Sequence, residues 1–160
     1  MRLKITGWVA IAAATVFLAW ASWTAWQDDG GGKGGERAAL LRTARTQIAT
    51  LNTLDRTKVD AGFKTWLDVS TGPLHDQLKQ QSAQKIQQAK TSATGTVTEA
   101  AVLSFDPRAG KAKVIAAVRI KLVSSTATSA DQRKRFEAGL TRTPAGWKLE
   151  SLTAIQVGSQ

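Results

Sequence analysis

An α+β domain behind a single membrane-spanning helix is the fold class this sequence predicts. Three observations predict it. Ile5 to Trp26 is a run of 22 residues without a charge. Helical spacing of apolar residues then occupies the chain to about Lys90, and from Thr91 onward the spacing changes to the alternation of strands. Helices followed by a run of strands imply three helices packed on one face of a curved antiparallel meander of about four strands.

At about 1.5 Å per residue, a helix over Ile5–Trp26 is roughly 33 Å long, enough for a hydrocarbon core of about 30 Å. Trp8 stands near one end, and Trp20, Trp23 and Trp26 near the other. Indole rings prefer the headgroup level, so these four are the predicted membrane-interface residues. Arg2 and Lys4 precede the run, while Asp28 and Asp29 follow it. That asymmetry predicts a cytoplasmic N-terminus in the cell membrane and an extracytoplasmic domain. A cleaved signal peptide is the rival, since Ala19-Trp20-Ala21 has small residues at the two specificity positions of a cleavage site. The apolar run exceeds a signal core, and a discarded peptide has no use for tryptophan belts. An anchor over residues 1–26 is therefore expected, with a flexible QDDGGGKGG tether over residues 27–35 and the domain over residues 36–160.

Within the domain, the first helix is expected from Glu36 to about Leu54, with Leu41, Ala44, Ile48 and Leu51 as its apolar stripe. A second spans about Val59–Val69, with Val59, Phe63, Trp66 and Leu67 on its apolar face and Asp60 favouring its N-terminal end. Ser70-Thr71-Gly72-Pro73 stops it and starts a third: Pro73 suits a first helical position, and Thr71 or Gly72 the cap before it. The third runs to about Lys90, with Leu74, Leu78, Ile86 and Ala89 facing inward. Strands are expected over Thr96–Phe105, Lys111–Val123, Asp131–Arg142 and Trp147–Val157. The second is the cleanest, with Val114, Ala116, Val118, Ile120 and Leu122 on one face and Lys113, Arg119 and Lys121 on the other. Asp106 to Gly110 and Pro144-Ala145-Gly146 supply turn chemistry. Phe136 and Leu140 share a face, as do Trp147 and Leu149, and the inward phase then breaks near Ser151 and Leu152, which predicts a bulge or bend.

Composition narrows the chemistry. Cysteine and tyrosine are absent and His75 is the only histidine. Disulfides, thiolate nucleophiles and Cys/His metal clusters are thereby excluded. His75 and Asp76 are neighbours in a helix and point about 100° apart, so no dyad is expected. Asp55, Asp60, Asp68 and Asp76 lie around helix ends, where capping explains them. No catalytic, cofactor-binding or metal-binding residue is therefore predicted. Net charge is +10, or +8 without Arg2 and Lys4, which favours acidic proteins or anionic lipid headgroups as partners. Arg133-Lys134-Arg135 lacks interleaved aromatics, and in a strand Arg133 and Arg135 share a face opposite Lys134, so nucleic acid is not expected.

Thr53 to Leu78 reads TLDRTKVDAGFKTWLDVSTGPLHDQL, and the last hairpin carries Gly146-Trp147-Lys148-Leu149. Both stretches resemble the Mce-associated membrane proteins of actinobacteria, in which a tl-D … W-l … sTG pattern follows the first helix. The resemblance covers the anchor and roughly Glu36 to Val157. It implies a cystatin-like, nuclear-transport-factor-2-like cone, with Trp66, Ser70, Thr71 and Gly72 as family-like structural positions. It also implies a non-enzymatic accessory role, stabilising or assembling an envelope complex that imports lipids or sterols, with other envelope subunits as partners. The same superfamily includes the periplasmic assembly subunit of type IV secretion systems, which shares the anchor-plus-cone layout, and cone-fold enzymes and lipid binders. Those are the alternatives.

Overall fold

In a computed structural model of the chain, residues 32–87, 91–124 and 130–156 are described. The expected anchor, its four tryptophans and most of the glycine tether lie outside them. Among the described residues no helix is long and apolar enough to cross a membrane. The chain divides into two compact units, Met1–Ala38 and Ala39–Gln160, and the packing below is that of the second.

Three helices precede four strands: α1 (Lys33–Leu51), α2 (Val59–Val69) and α3 (Gly72–Gln87), then β1 (Thr91–Asp106), β2 (Lys111–Ser124), β3 (Ala130–Thr143) and β4 (Gly146–Ile155). The strands form one antiparallel sheet in the order β1-β2-β3-β4. The α+β layout expected from the sequence is the one observed.

Helix α1 begins at Lys33, inside the stretch expected to be tether, and ends at Leu51, short of Leu54. Its end has a local cause. The Asn52 amide donates to the Ile48 carbonyl at 2.8 Å, and the Thr53 hydroxyl donates to that of Ala49 at 2.8 Å. Side chains that take the last carbonyls compete with another helical turn. Leu54 then pairs with Ala93 of β1 through two backbone hydrogen bonds of 2.8 and 2.9 Å. The buried stripe is Leu40, Ala44 and Ile48, with Leu41 and Leu51 packed partly buried at its margins. It is rotated slightly from the expected one.

Beneath α1 lie Ala112, Val114, Ala116, Val118 and Ile120 of β2, Phe136, Ala138 and Leu140 of β3, and Leu149 of β4. The alternation read in β2 is thus the alternation of burial. A leucine or isoleucine taken fully out of water contributes roughly 1.5–3 kcal/mol, so Leu40, Ile48, Leu140 and Leu149 carry much of the drive to fold. Helix α2 packs on α3, and α3 on β4. Leu78 is buried and Leu74 packs on the core, while the side chains of Ile86 and Ala89 lie outside the described ones.

Among the described residues, one tight turn and three bulges stand out in shaping the sheet. Asp106 accepts from the backbone N–H groups of Arg108 at 3.0 Å and Ala109 at 2.9 Å, and Gly110 closes the turn at φ +64°. Strand β1 carries an extra residue at Thr98 and another at Leu103, which leaves Leu103 exposed. In β4 the extra residue is Glu150, between Leu149 and Ser151, where the break in phase predicted it. Gly139 faces this bulge, and the Ser151 hydroxyl accepts its N–H at 3.2 Å. Bulges bend strands and raise their twist, so all three curve the sheet.

Candidate functional site

The segment from Asn52 to Thr57 is stitched to the first half of β1. Besides the Leu54–Ala93 pair, the Thr53 hydroxyl accepts the Gly95 N–H at 3.0 Å and the Ser92 hydroxyl accepts the Arg56 N–H at 3.1 Å. Gly95 permits this approach, because a Cβ there would stand 2.5 Å from the Asn52 Cβ. Asp55 accepts from both the backbone N–H and the hydroxyl of Thr57, at 2.8 and 2.7 Å, and these bonds hold its carboxyl below its ordinary pKa.

This stitching leaves a groove of about 670 Å³ between α1, α2 and β1. Trp66 forms part of its lining. The indole N–H is shared between the carbonyls of Thr50 at 2.9 Å and Thr53 at 3.0 Å, at the C-terminal end of α1 where helical carbonyls want donors. Trp66 is therefore half-buried, not the core indole its place on an apolar face suggests. A tryptophan whose N–H needs an acceptor settles at an edge where it finds one. Arg45 approaches from α1 and donates to the carbonyls of Val97 at 3.4 Å and Thr98 at 3.3 Å, beside the bulge in β1. Thr46, Thr50, Thr65 and Thr96 add hydroxyls and Lys58 adds a second cation. The surface they line is nonetheless mostly apolar. Its described residues include one carboxylate, Asp55, and no histidine.

The other family-like positions form a second junction. Ser70 is buried, with its hydroxyl and its N–H both donating to the Leu67 carbonyl, at 3.1 and 3.3 Å. The Thr71 N–H donates to the Leu149 carbonyl at 2.7 Å, and Ser70 bridges Leu149 in parallel. Gly72 sits at φ +52°, a left-handed conformation that a side chain disfavours, so the α2–α3 link needs glycine there. The two stretches that carry the sequence resemblance thus meet. Trp147 beside them tilts against Phe105 with ring centroids 5.9 Å apart, and its carbonyl accepts the Gln47 amide at 2.6 Å. Gln47 and Arg45 were missed by sequence reasoning. For Gln47 a signal existed: it is a polar residue lying three positions after Ala44, on the buried stripe.

His75 lies on α3, away from the groove, with its Nδ1 3.9 Å from a carboxylate oxygen of Asp76, beyond hydrogen-bonding reach. Among the described residues no group of three metal-ligating side chains converges.

The family described as "Uncharacterized protein Rv1363c/MT1408-like" matches residues 3–152. The chain belongs to that family. Among curated proteins none matches the chain. Solved structures similar to this Rv1363c/MT1408-like domain include an IcmL-like type IV secretion system protein from Legionella pneumophila, at 19% identity and a TM-score of 0.61, covering 78% of this chain and 96% of that one. The periplasmic domain of DotI is similar at 14% identity and a TM-score of 0.62, over 75% of this chain and 95% of that one. CagV of Helicobacter pylori, a VirB8 homologue of a type IV secretion system, is similar at 11% identity and 0.60, over 76% and 99%. At these identities the likeness establishes the fold alone: three helices on a four-stranded antiparallel sheet.

Proposed function

We propose that this Rv1363c/MT1408-like protein is a membrane-anchored, non-enzymatic assembly subunit of a multi-protein envelope channel of the type IV secretion kind. The observation that carries this reading is coverage. Two proteins described as belonging to such systems share the fold over about three-quarters of this chain and nearly all of their own. An anchor over Ile5–Trp26 would hold the domain outside the cytoplasm, close to other anchored subunits, and raise its effective concentration for them. A residue inventory with one histidine and no cysteine or tyrosine favours holding a partner over turning over a substrate.

Support in a lipid- or sterol-importing Mce complex is the second reading, favoured by the stretch Thr53–Leu78 and the Gly146-Trp147-Lys148-Leu149 hairpin. Affinity purification of the full chain from carbonate-washed membranes, with mass spectrometry of what accompanies it, separates the two. Channel subunits and secretion ATPases are the expected companions. Lipid-transporter permeases in their place would transfer the protein to the second reading. Recovery of a soluble chain beginning near Ser22 would remove the anchor from both.

A further inference from the structure

The sheet face turned away from α1 is built from the alternate residues that do not enter the core, and its cations fall into two groups. Near the β1–β2 turn, Lys111 lies 2.6 Å from Glu150 and Lys113 lies 3.3 Å from Glu137. Farther along, Arg119 stands directly opposite Arg133, with Arg135 following on the same face opposite Ala117 and Lys121 beyond them opposite Asp131. All three arginines are exposed. Among the described residues no carboxylate lies within salt-bridge distance of any of them. Like charges directly opposed on neighbouring strands destabilise a sheet. The fold by itself gains nothing from this cluster, although it neutralises Lys111 and Lys113 on the same surface.

The cluster borders a trough of about 840 Å³ that crosses all four strands. Its rung is a chain of register partners, Glu99 to Ala117 to Arg135 to Ile155. Ala117 is small and leaves the floor low between the arginines. Ile155, 37% exposed, offers an apolar contact at the β4 end. Glu99 closes the β1 end with the opposite charge.

We propose that this trough docks an acidic polypeptide segment of a partner protein, with carboxylates on Arg119, Arg133 and Arg135 and an apolar residue on Ile155. Guanidinium forks pair bidentately with carboxylates held in one geometry. A bilayer presents a broad anionic field that any basic surface reads, and it needs no trough. Single-stranded nucleic acid wants aromatic platforms, and the described lining has none. Glu99 gives the docked segment a direction, acidic toward β3 and not toward β1. The proposal deepens the assembly reading and rests on it only for who supplies the segment.

The test uses the full chain in neutral detergent and a fluorescent peptide of alternating glutamate and alanine ending in leucine. Arg119→Gln/Arg133→Gln/Arg135→Gln should weaken its binding by on the order of tenfold at moderate salt, as three partly screened ion pairs predict. The charge-matched control Lys64→Gln/Lys79→Gln/Arg108→Gln, all exposed positions, should change it less than twofold. The same triple arginine variant should keep its midpoint of thermal unfolding or raise it, because it relieves the Arg119–Arg133 repulsion, and this excludes misfolding as the cause. Equal losses in both triple variants would overturn the proposal in favour of a diffuse field. So would binding confined to phosphatidylglycerol vesicles, or to single-stranded DNA, with none to the peptide. Peptide binding is independent of which subunits accompany the chain from membranes, so the two tests fail separately.

Discussion

Gly95→Ala is the substitution for which the structure predicts the largest effect from the smallest change. The added methyl would sit 2.5 Å from the Asn52 Cβ, 3.0 Å from the Asn52 carbonyl oxygen and 3.2 Å from that of Ala49. Carbon atoms in contact stand about 3.5–4.0 Å apart, so the end of α1 must withdraw from β1 by roughly 1 Å. Such overpacking costs about 1–3 kcal/mol. The withdrawal also strains the Gly95–Thr53 hydrogen bond and the neighbouring Leu54–Ala93 pair, each bond worth about 1 kcal/mol. Alanine recovers up to about 1 kcal/mol through the unfolded state. The net expectation is a loss of about 2–3 kcal/mol. Urea unfolding of a chain beginning at Lys33 reads it directly, since only Trp66 and Trp147 remain there as indoles. Gly34→Ala supplies the control. Nothing lies within 4 Å of its added methyl at the first turn of α1, and no destabilisation is expected. Adding Asn52→Gly to Gly95→Ala removes the nearest clash, so the pair should couple favourably by about 1 kcal/mol. A Gly95→Ala chain as stable as its parent would refute the close approach, and with it the geometry of the groove.

Trp66→Phe keeps most of the ring and deletes the N–H shared by Thr50 and Thr53. A loss of about 1 kcal/mol in the same unfolding experiment is expected, and parity with the parent would mean that the bond contributes nothing. Glu150 gives the pH dependence. The Lys111 ammonium and the Thr141 hydroxyl bond its carboxylate and hold its pKa below the ordinary glutamate value. A folded pKa that is lowered contributes stability above the unfolded value and loses it as pH falls through the folded one. Glu150→Gln should therefore flatten the acid limb of a stability–pH profile below the ordinary glutamate range. An unchanged limb would assign the acid sensitivity to other groups.

What was legible in the sequence was what depends on near neighbours. Val59–Val69 was readable because its apolar spacing and its stop at Ser70-Thr71-Gly72 are local. Strand β2 was readable because a half-buried strand must alternate, and the bulge at Glu150 because two inward residues followed by a slip have few other solutions. What stayed hidden depends on register between distant strands. Nothing near Gly95 tells that Asn52 will lie over it. Arg45 reads as an exposed helical cation until the bulge at Thr98 supplies two carbonyls for it. Arg133 and Arg135 were visible as one face of a strand, but Arg119 opposite Arg133 appears only once β2 and β3 are paired. Trp66 misled because hydrophobic spacing takes no account of an indole N–H, which needs an acceptor and draws the ring to an edge.

The convergence of the two family-like stretches bears on where function resides. The Thr71 N–H bonds to the Leu149 carbonyl, Ser70 lies alongside Leu149 as its parallel bridge partner, and Trp147 beside it is held by Gln47. These residues fasten α1 and the α2–α3 link onto the last strand, so the recurring pattern is accounted for by the fold itself. A pattern that secures a scaffold is equally useful to a channel subunit and to a transporter accessory. The choice of partner must then rest on surfaces the scaffold does not require. Arg119, Arg133 and Arg135 are such a surface: they sit on the sheet face turned away from α1, repel one another, and could be replaced without touching the core. Folding does not explain why these three are gathered on one trough, and an acidic partner would.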